Sequence, residues 1–479
     1  MLFTVSGAFP LLSGLIMLPF YIHYLSEKSL GVFSLYFAIT LFFQGIIHFA
    51  VEQKSALDYV EHSNDPIKRR IVISTNIIFG IRFSLIIGFL IAIVHWLFGD
   101  LINLVLGLEM YPYIWMVYIT AFANSIFKQY TYLLIYSSRP WVYFSANLFN
   151  LIVTILISIW GVKTFGDSVI GPMLGRFFSG LLILIPAFYY FSTHIGWKYE
   201  SSEVTKIIRY LWPIMIVIIF TWIASYSDRF VILRFMSLDQ VGVYDFIIKC
   251  TLGIEVVLGG LINVIYPRLF VFLNKTDSSD VKSIQEKSNQ FFYALMGGGL
   301  FSIVFTLLSV PLLVNFFIDK QPFIDSLKFL PLLSAAFLFR VFYHQYHGFL
   351  LFNKLTYLLP VNLIVSSIIQ LICSLPLIHF WGIDGAVITF IIGKFISGLI
   401  FYLSVRKHVQ IKLNLTKQIF FPTVVILVAG VFYFAGFYGV YFNALFSVII
   451  VMISILFYFN EVKNTKIVKL LKSYSKSKE

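Results

Sequence analysis

Long apolar runs dominate the chain, each separated from the next by a short polar stretch. A helix needs about 20 residues to cross a ~30 Å hydrocarbon core. Fourteen windows meet that need: 3–25, 31–51, 71–98, 112–137, 141–163, 169–191, 208–233, 241–267, 291–318, 326–352, 357–380, 385–404, 418–437 and 440–459. Runs of this length do not alternate in the ~10-residue segments of a membrane barrel, and in lipid every backbone N–H needs an internal partner. The pattern predicts an all-α integral membrane protein of about fourteen transmembrane helices.

Composition agrees: 59% of residues are hydrophobic and only 12% charged, against about a quarter charged in soluble chains. Cys250 and Cys373 lie far apart in apolar runs and suit neither a disulfide framework nor a zinc site. Residues 1–25 lack the basic start and small-residue cleavage site of a signal peptide, so they read as a retained first helix. With no Lys or Arg ahead of that helix, the natural start is expected slightly upstream.

The net charge of +13 reads as topology rather than as a nucleic-acid footprint. With a cytoplasmic amino terminus, twenty-three Lys and Arg fall in inner connections and the tail, Lys54 and Lys68 to Arg70 among them, and five in outer ones. Both termini are therefore expected in the cytoplasm, and the basic tail 463–479 is read as a topological anchor at the inner lipid surface.

The chain also repeats itself. Phe127-Lys128 followed by Asn150-Leu151-Ile152-Val153 matches Phe339-Arg340 followed by Asn362-Leu363-Ile364-Val365. Gly175-Arg176-Phe177 matches Gly393-Lys394-Phe395, and Gly31-Val32-Phe33 matches Gly242-Val243-Tyr244. The offsets are nearly equal and in order. They predict two pseudo-symmetric six-helix lobes, 1–192 and 193–405, followed by two extra helices and the tail, 406–479. Parallel repeats place a substrate path between the lobes.

Seven basic residues fall inside the spans: Arg82, Lys128, Arg176, Arg229, Lys249, Arg340 and Lys394. Each costs about 2.5–3.5 kcal/mol at a helix centre, so they need a wet cavity or a partner. Asp228, Asp245 and Glu255 are the acidic residues in reach by this reading. Asp245 and Lys249 are spaced for an intrahelical pair, and Asp228-Arg229 sits near a helix end where a long side chain can snorkel. These three acids are also the candidates for a coupling proton or cation, Glu255 foremost.

The repeat pairs Lys128 with Arg340 and Arg176 with Lys394, so these four cations are expected to line a shared water-filled space. Asn124, Ser125, Thr131 and Tyr132 form a polar stripe beside Lys128, and Tyr343, His344 and His347 do so beside Arg340. Arg82 joins the set. His344-x-x-His347 has metal-ligand spacing, but no acidic or cysteine ligand is near, and a titrating histidine in a wet cavity is the preferred reading. No phosphate-binding Gly-rich loop is present, so ATP hydrolysis is not supported, and no cofactor or metal is implied.

Ser227-Asp228-Arg229-Phe230-Val231-Ile232 with Gly242-Val243-Tyr244 resembles the seventh-to-eighth helix signature of the polysaccharide-transporter family. These are lipid-linked oligosaccharide (O-antigen) flippases of the multidrug/oligosaccharidyl-lipid/polysaccharide exporter superfamily. Tyr266-Pro267-Arg268, Gly382-x-x-Gly385-Ala386, and Pro10, Gly14 and Pro19 ahead of Ser26–Gly31 are similar to that family's pattern, and the resemblance covers residues 1–405. It implies a two-lobe alternating-access transporter with a cationic cavity in a bacterial plasma membrane. The implied substrate is a polyprenyl-pyrophosphate carrying an O-antigen or capsule repeat unit, with H⁺ or Na⁺ as a possible counter-ion. Carried over by position, the headgroup ligands would be Lys128, Arg176, Arg340 and Lys394.

A drug exporter would call for acidic cavity residues. A lipid II flippase shares the charge logic and is the alternative. A membrane-embedded glycan polymerase or glycosyltransferase would handle the same substrate, but it calls for catalytic carboxylates or large outer loops.

Overall fold

The computed structural model describes residues 9–109, 111–275, 281–353, 355, 357–408, 413–437 and 439–463, and among them there is no strand. The chain runs through α1 (Phe9–Tyr24), α2 (Glu27–Ile46), α3 (Val51–Glu61), α4 (Pro66–Leu106), α5 (Tyr113–Tyr136), α6 (Pro140–Phe165), α7 (Ile170–Tyr190) and α8 (Ser201–Phe235). It continues with α9 (Leu238–Cys250), α10 (Leu252–Lys275), α11 (Val281–Phe317), α12 (Leu330–Phe352), α13 (Leu358–Arg406), α14 (Phe421–Phe434) and α15 (Val440–Lys463). Eleven helical segments of the described residues are long and apolar enough to cross a membrane. Neither α1, described over 16 residues, nor α5, diluted by Asn124, Lys128 and Gln129, is among them. The windows 357–380 and 385–404 form one element, α13, broken at Gly382. The basic residues beyond 463 and the first eight residues lie outside the described set.

The described residues group into two compact units. The first holds those up to Lys249, with Ile318–Phe323 and the described part of 355–389; the second holds the rest. In the first unit, α2 crosses α9 at two glycines that match in the sequence repeat. A Cβ on Gly31 would fall 2.0 Å from the Leu238 carbonyl oxygen, and one on Gly242 would fall 2.1 Å from that of Glu27. Only glycine allows backbones this close. Gly166, after α6, and Gly382, inside α13, both need glycine for another reason: their φ/ψ are 58°/−132° and 58°/−131°.

Three connections of the first unit, far apart in sequence, are tied together. The Ser26 N–H donates to Asp167 at 2.7 Å, and the Lys320 ammonium donates to the Leu25 carbonyl at 2.6 Å. Partial burial alone would raise the Asp167 carboxyl, but the Ser26 N–H, the Ser29 and Ser26 hydroxyls and Lys320 outweigh it and hold it below the ordinary aspartate value.

In the second unit the segment that leads into α14 is wired into the interior by buried amides. Gln418 donates to Gln345 at 2.6 Å and accepts from Tyr346 at 3.0 Å, while Gln345 donates to Ser288 at 2.8 Å. Such a network rigidifies a core only when each member finds a partner, as these do.

Candidate functional site

The second predicted window, 31–51, does not end where the sequence suggests. Helix α2 stops at Ile46, residues 47–50 form a tight turn, and α3 restarts at Val51. Phe49 and Ala50 sit at φ 53° and 52°, a left-handed conformation that costs a side-chain-bearing residue about 1–3 kcal/mol. The break survives because it is buried in protein. Phe49, Ala50 and Val51 pack on Ile207, Leu211 and Met215 of α8. Hydroxyls cap freed carbonyls: Ser84 donates to Ile47 at 2.8 Å and Ser125 to Gln44 at 3.0 Å. Irregular backbone at membrane depth is tolerated only in such surroundings.

This break turns α3 into a buried polar helix. Lys54, read from the sequence as part of an inner connection, is instead buried and ion-paired with Asp58. Asp58 also accepts from Asn76 of α4 at 2.8 Å, and Gln129 of α5 donates to Ser55 at 2.8 Å. Glu52, buried on the same face, meets Lys128 of α5 at 2.7 Å. Glu52 and Asp58 are thus a fourth and a fifth acid that the sequence reading missed. The spacing Glu52-x-x-Ser55-x-x-Asp58, which puts all three on one helical face, is the signal that could have found them.

The other predicted residues of the first unit separate into three environments. Arg176 of α7 lies against the Phe37 ring, its guanidinium carbon 4.3 Å from the centroid. Its Nε is buried without a hydrogen-bond partner, and among the described residues no carboxylate pairs with it. A small cavity beside it is lined by Phe33, Tyr36, Phe37, Thr40, Thr120 and Met173. Asn124 is half-buried near Gly180, whose missing side chain lets α7 close on Ala123. Arg82, by contrast, is exposed and stacks on Tyr199 at 4.2 Å; no hydrogen bond or ion pair among the described residues joins it to Lys128 or Arg176.

Asp228 and Arg229 do not snorkel. Both are buried, and the guanidinium bridges Asp228 and Asp245 at 2.9 Å each, because the α8 helix turns them inward against α9. Tyr244 donates to Asp228 at 2.6 Å, and Lys249 reaches Asp245 at 2.5 Å, the intrahelical pair the spacing predicts. Two acids and two bases cancel, so the network is electrically closed. The Lys249 ammonium also lies 5.9 Å from the Phe37 centroid, the ring that carries Arg176.

In the second unit, Arg340 of α12 holds Glu255 of α10 through Nη2 at 3.0 Å and Nε at 3.2 Å. Lys394 lies over the rings of Phe337 and Phe390, at 5.2 and 4.8 Å. Glu255, Lys394 and Arg340 all act electrostatically on one another or on His344. The His344-x-x-His347 pair is engaged by Tyr266, whose hydroxyl donates to the His344 carbonyl at 2.8 Å and lies 3.2 Å from His347 Nδ1. The group spaced for a metal among the described residues is a different one, Asp58, Glu61 and His62, and its Asp58 is already taken by Lys54.

Of the four cations paired by the repeat, then, Lys128 and Arg340 each meet a carboxylate from another helix, while Arg176 and Lys394 each rest on aromatic rings. The first two are individually ion-paired, which the sequence reading foresaw for neither.

The family model for polysaccharide biosynthesis proteins matches residues 2–273. No curated protein sequence matches the chain. Among solved structures, the fold is similar to the lipid II flippase MurJ in an inward closed conformation, with a TM-score of 0.71, 16% identity, and 96% of this chain and 99% of that one covered. It is also similar to an inward-facing multidrug resistance MATE family transporter of the MOP superfamily, with a TM-score of 0.70, 16% identity, and 85% and 94% covered. The MATE multidrug transporter DinF-BH follows at 0.58 and 13%, with 85% and 93% covered. The chain belongs to the polysaccharide biosynthesis protein family.

Proposed function

We propose that this multi-pass member of the polysaccharide biosynthesis family is a flippase for a polyprenyl-pyrophosphate-linked oligosaccharide. It would move an O-antigen or capsule repeat unit from the cytoplasmic to the outer leaflet of a bacterial plasma membrane, with both termini cytoplasmic. One observation carries the reading: Arg176, a largely buried guanidinium whose Nε has no hydrogen-bond partner and which no carboxylate pairs among the described residues, with a small cavity beside it. A cation left uncompensated at membrane depth is unfavourable unless an anion visits it. Guanidinium and ammonium groups replace water around a diphosphate through charge-assisted hydrogen bonds. Lys128, half-open beside its buried partner, Arg340 and Lys394 complete the proposed set, with Asn124 and His344 next to them. Arg82, exposed on Tyr199, is at most peripheral.

Alternating access by two duplicated six-helix lobes, 1–192 and 193–405, would carry the headgroup across while the lipid tail stays in the bilayer. The coupling ion would be H⁺ or Na⁺. Glu255 is the stronger acidic candidate, since Asp228 and Asp245 lie within a neutral network. A lipid II flippase would present the same diphosphate chemistry, and the fold shared with MurJ keeps it as the second reading.

Deleting the gene and identifying the lipid-linked saccharide that accumulates on the cytoplasmic face tests both. An oligosaccharide repeat unit supports the first reading and lipid II the second; accumulation of neither overturns the assignment. In the complemented strain, Arg176→Ala should lose surface glycan at normal membrane levels, with partial recovery in Arg176→Lys.

A further inference from the structure

Arg82 is a cation that the proposed transport step leaves without a task, and its surroundings give it another. It lies on α4 where protein cover ends. Before it, residues 72–77 are all buried; after it, Leu85, Ile86 and Phe89 are each more than half exposed. Positions 82, 85, 86 and 89 share one helical face. A face that shows Leu, Ile and Phe is turned to acyl chains rather than to water. Arg82 therefore opens to lipid at the edge of the hydrocarbon.

A strap of chain meets it there. Residues 196–200, between α7 and α8, are pinned to α4 by two hydrogen bonds. Ser74 donates to the Gly196 carbonyl at 3.0 Å, and the Glu200 N–H donates to Thr75 at 3.1 Å. The ring centroid of Tyr199, in this strap, lies 4.2 Å from the Arg82 guanidinium carbon. Helical side chains lean towards their own N-terminus, so Arg82 reaches back from the apolar face to this ring. Trp197 is half-exposed, its ring stacked on Phe188 and its indole N–H donating to Ser192 at 3.0 Å. Exposed Trp and Tyr mark the headgroup level of a bilayer. Lys198, between the two, is exposed, and among the described residues no carboxylate pairs with Arg82.

We propose that Arg82 and the 196–200 strap form a site for the headgroup of an anionic phospholipid, whose acyl chains lie on Leu85, Ile86 and Phe89. A guanidinium at this depth without a carboxylate is costly, and a phosphodiester offers it two oxygens for charge-assisted hydrogen bonds. Tyr199 holds the flat guanidinium by its face, which leaves the N–H groups along its edge for the phosphate. Lys198 adds a second positive charge to the strap. This end of α4 is the inner one in the orientation proposed above, so the lipid belongs to the inner leaflet, whose anionic headgroups attract basic residues. The site does not depend on what the protein transports.

Lipid binding to the full-length protein, read by native mass spectrometry from a neutral detergent, tests the site. Phosphatidylglycerol should bind at least about five-fold more tightly than phosphatidylcholine, the worth of one basic residue at a lipid surface. Arg82→Ala should bring the two lipids level, Arg82→Lys should keep part of the preference, and Tyr199→Leu should weaken it. Arg406→Ala, which removes an exposed basic residue of the second unit, should leave the preference unchanged. Equal losses in Arg82→Ala and Arg406→Ala would mean diffuse attraction to basic surface and overturn the site, as would full preference in Arg82→Ala. Inorganic phosphate in large excess should not displace the lipid; displacement would make the ligand a free anion and overturn the proposal. Arg176→Ala should keep the lipid preference even where it loses surface glycan. A preference that follows Arg176 instead puts the lipid in the proposed transport site and overturns this one, while the transport reading stands.

Discussion

Lys128 and Arg340 hold the same place in the two sequence repeats, and each meets a carboxylate from another helix. The two pairs open on different partners. In the first unit the acid Glu52 is 5% exposed and the base 38%; in the second the acid Glu255 is 36% exposed and Arg340 25%. The surroundings differ as well: Glu52 shares its helix with a second buried ion pair and a strained turn, whereas Glu255 stands between Arg340 and Lys394. The repeated motif keeps the cation but not its partner, so the two positions are matched in charge and unmatched in accessibility. The first unit offers a base to whatever enters, and the second a carboxylate.

That contrast can be broken by truncating the base. Lys128→Ala strands a buried Glu52, and loss of one partner of a buried pair costs about 3–5 kcal/mol. With the lysine partly solvated, the lower figure of about 3 kcal/mol is expected, read as a lower unfolding temperature in detergent and largely restored by adding Glu52→Gln. Arg340→Ala leaves Glu255 in contact with solvent and should cost roughly half as much. Equal losses would show that exposure does not distinguish the two pairs.

The helix crossing that both repeats share at Gly31 and Gly242 sharpens the comparison on a smaller scale. Gly31→Ala must push α2 away from the Leu238 carbonyl, and overpacking of this kind costs about 1–3 kcal/mol. Labelling of a cysteine introduced at Ser26 should rise several-fold, and Gly242→Ala should do the same if the crossing is symmetric. The mildest expected effect concerns the neighbouring tie through Asp167. Its carboxyl is held below the ordinary aspartate value, so its contribution is complete above about pH 4 and fades as acid titrates the folded form. Asp167→Asn should lower thermal stability slightly at neutral pH, where the tie is complete, and change little in acid, where the carboxyl is already protonated.

Much of the architecture is legible in the chain because apolar periodicity is local. A run of about 20 apolar residues spans lipid whatever its neighbours do. The intrahelical Asp245–Lys249 pair follows from spacing in the same way. The windows misled where a helix breaks without Gly or Pro: nothing near Phe49 and Ala50 announces a left-handed turn, and the polar residues after it read as a loop because their burial comes from α4, α5 and α8. Snorkelling at Arg229 failed for a related reason, since Asp245, one of the two carboxylates that hold it, is reached only through the way α8 meets α9.

The sequence by itself determined that the chain is built of apolar helices long enough to cross lipid, and that short motifs carrying paired cations recur along it. Only the tertiary structure decided which of those cations are neutralised, because ion pairing across helices is set by crossing geometry. Glu52 and Lys128, or Glu255 and Arg340 85 positions apart, meet through packing that no local pattern encodes.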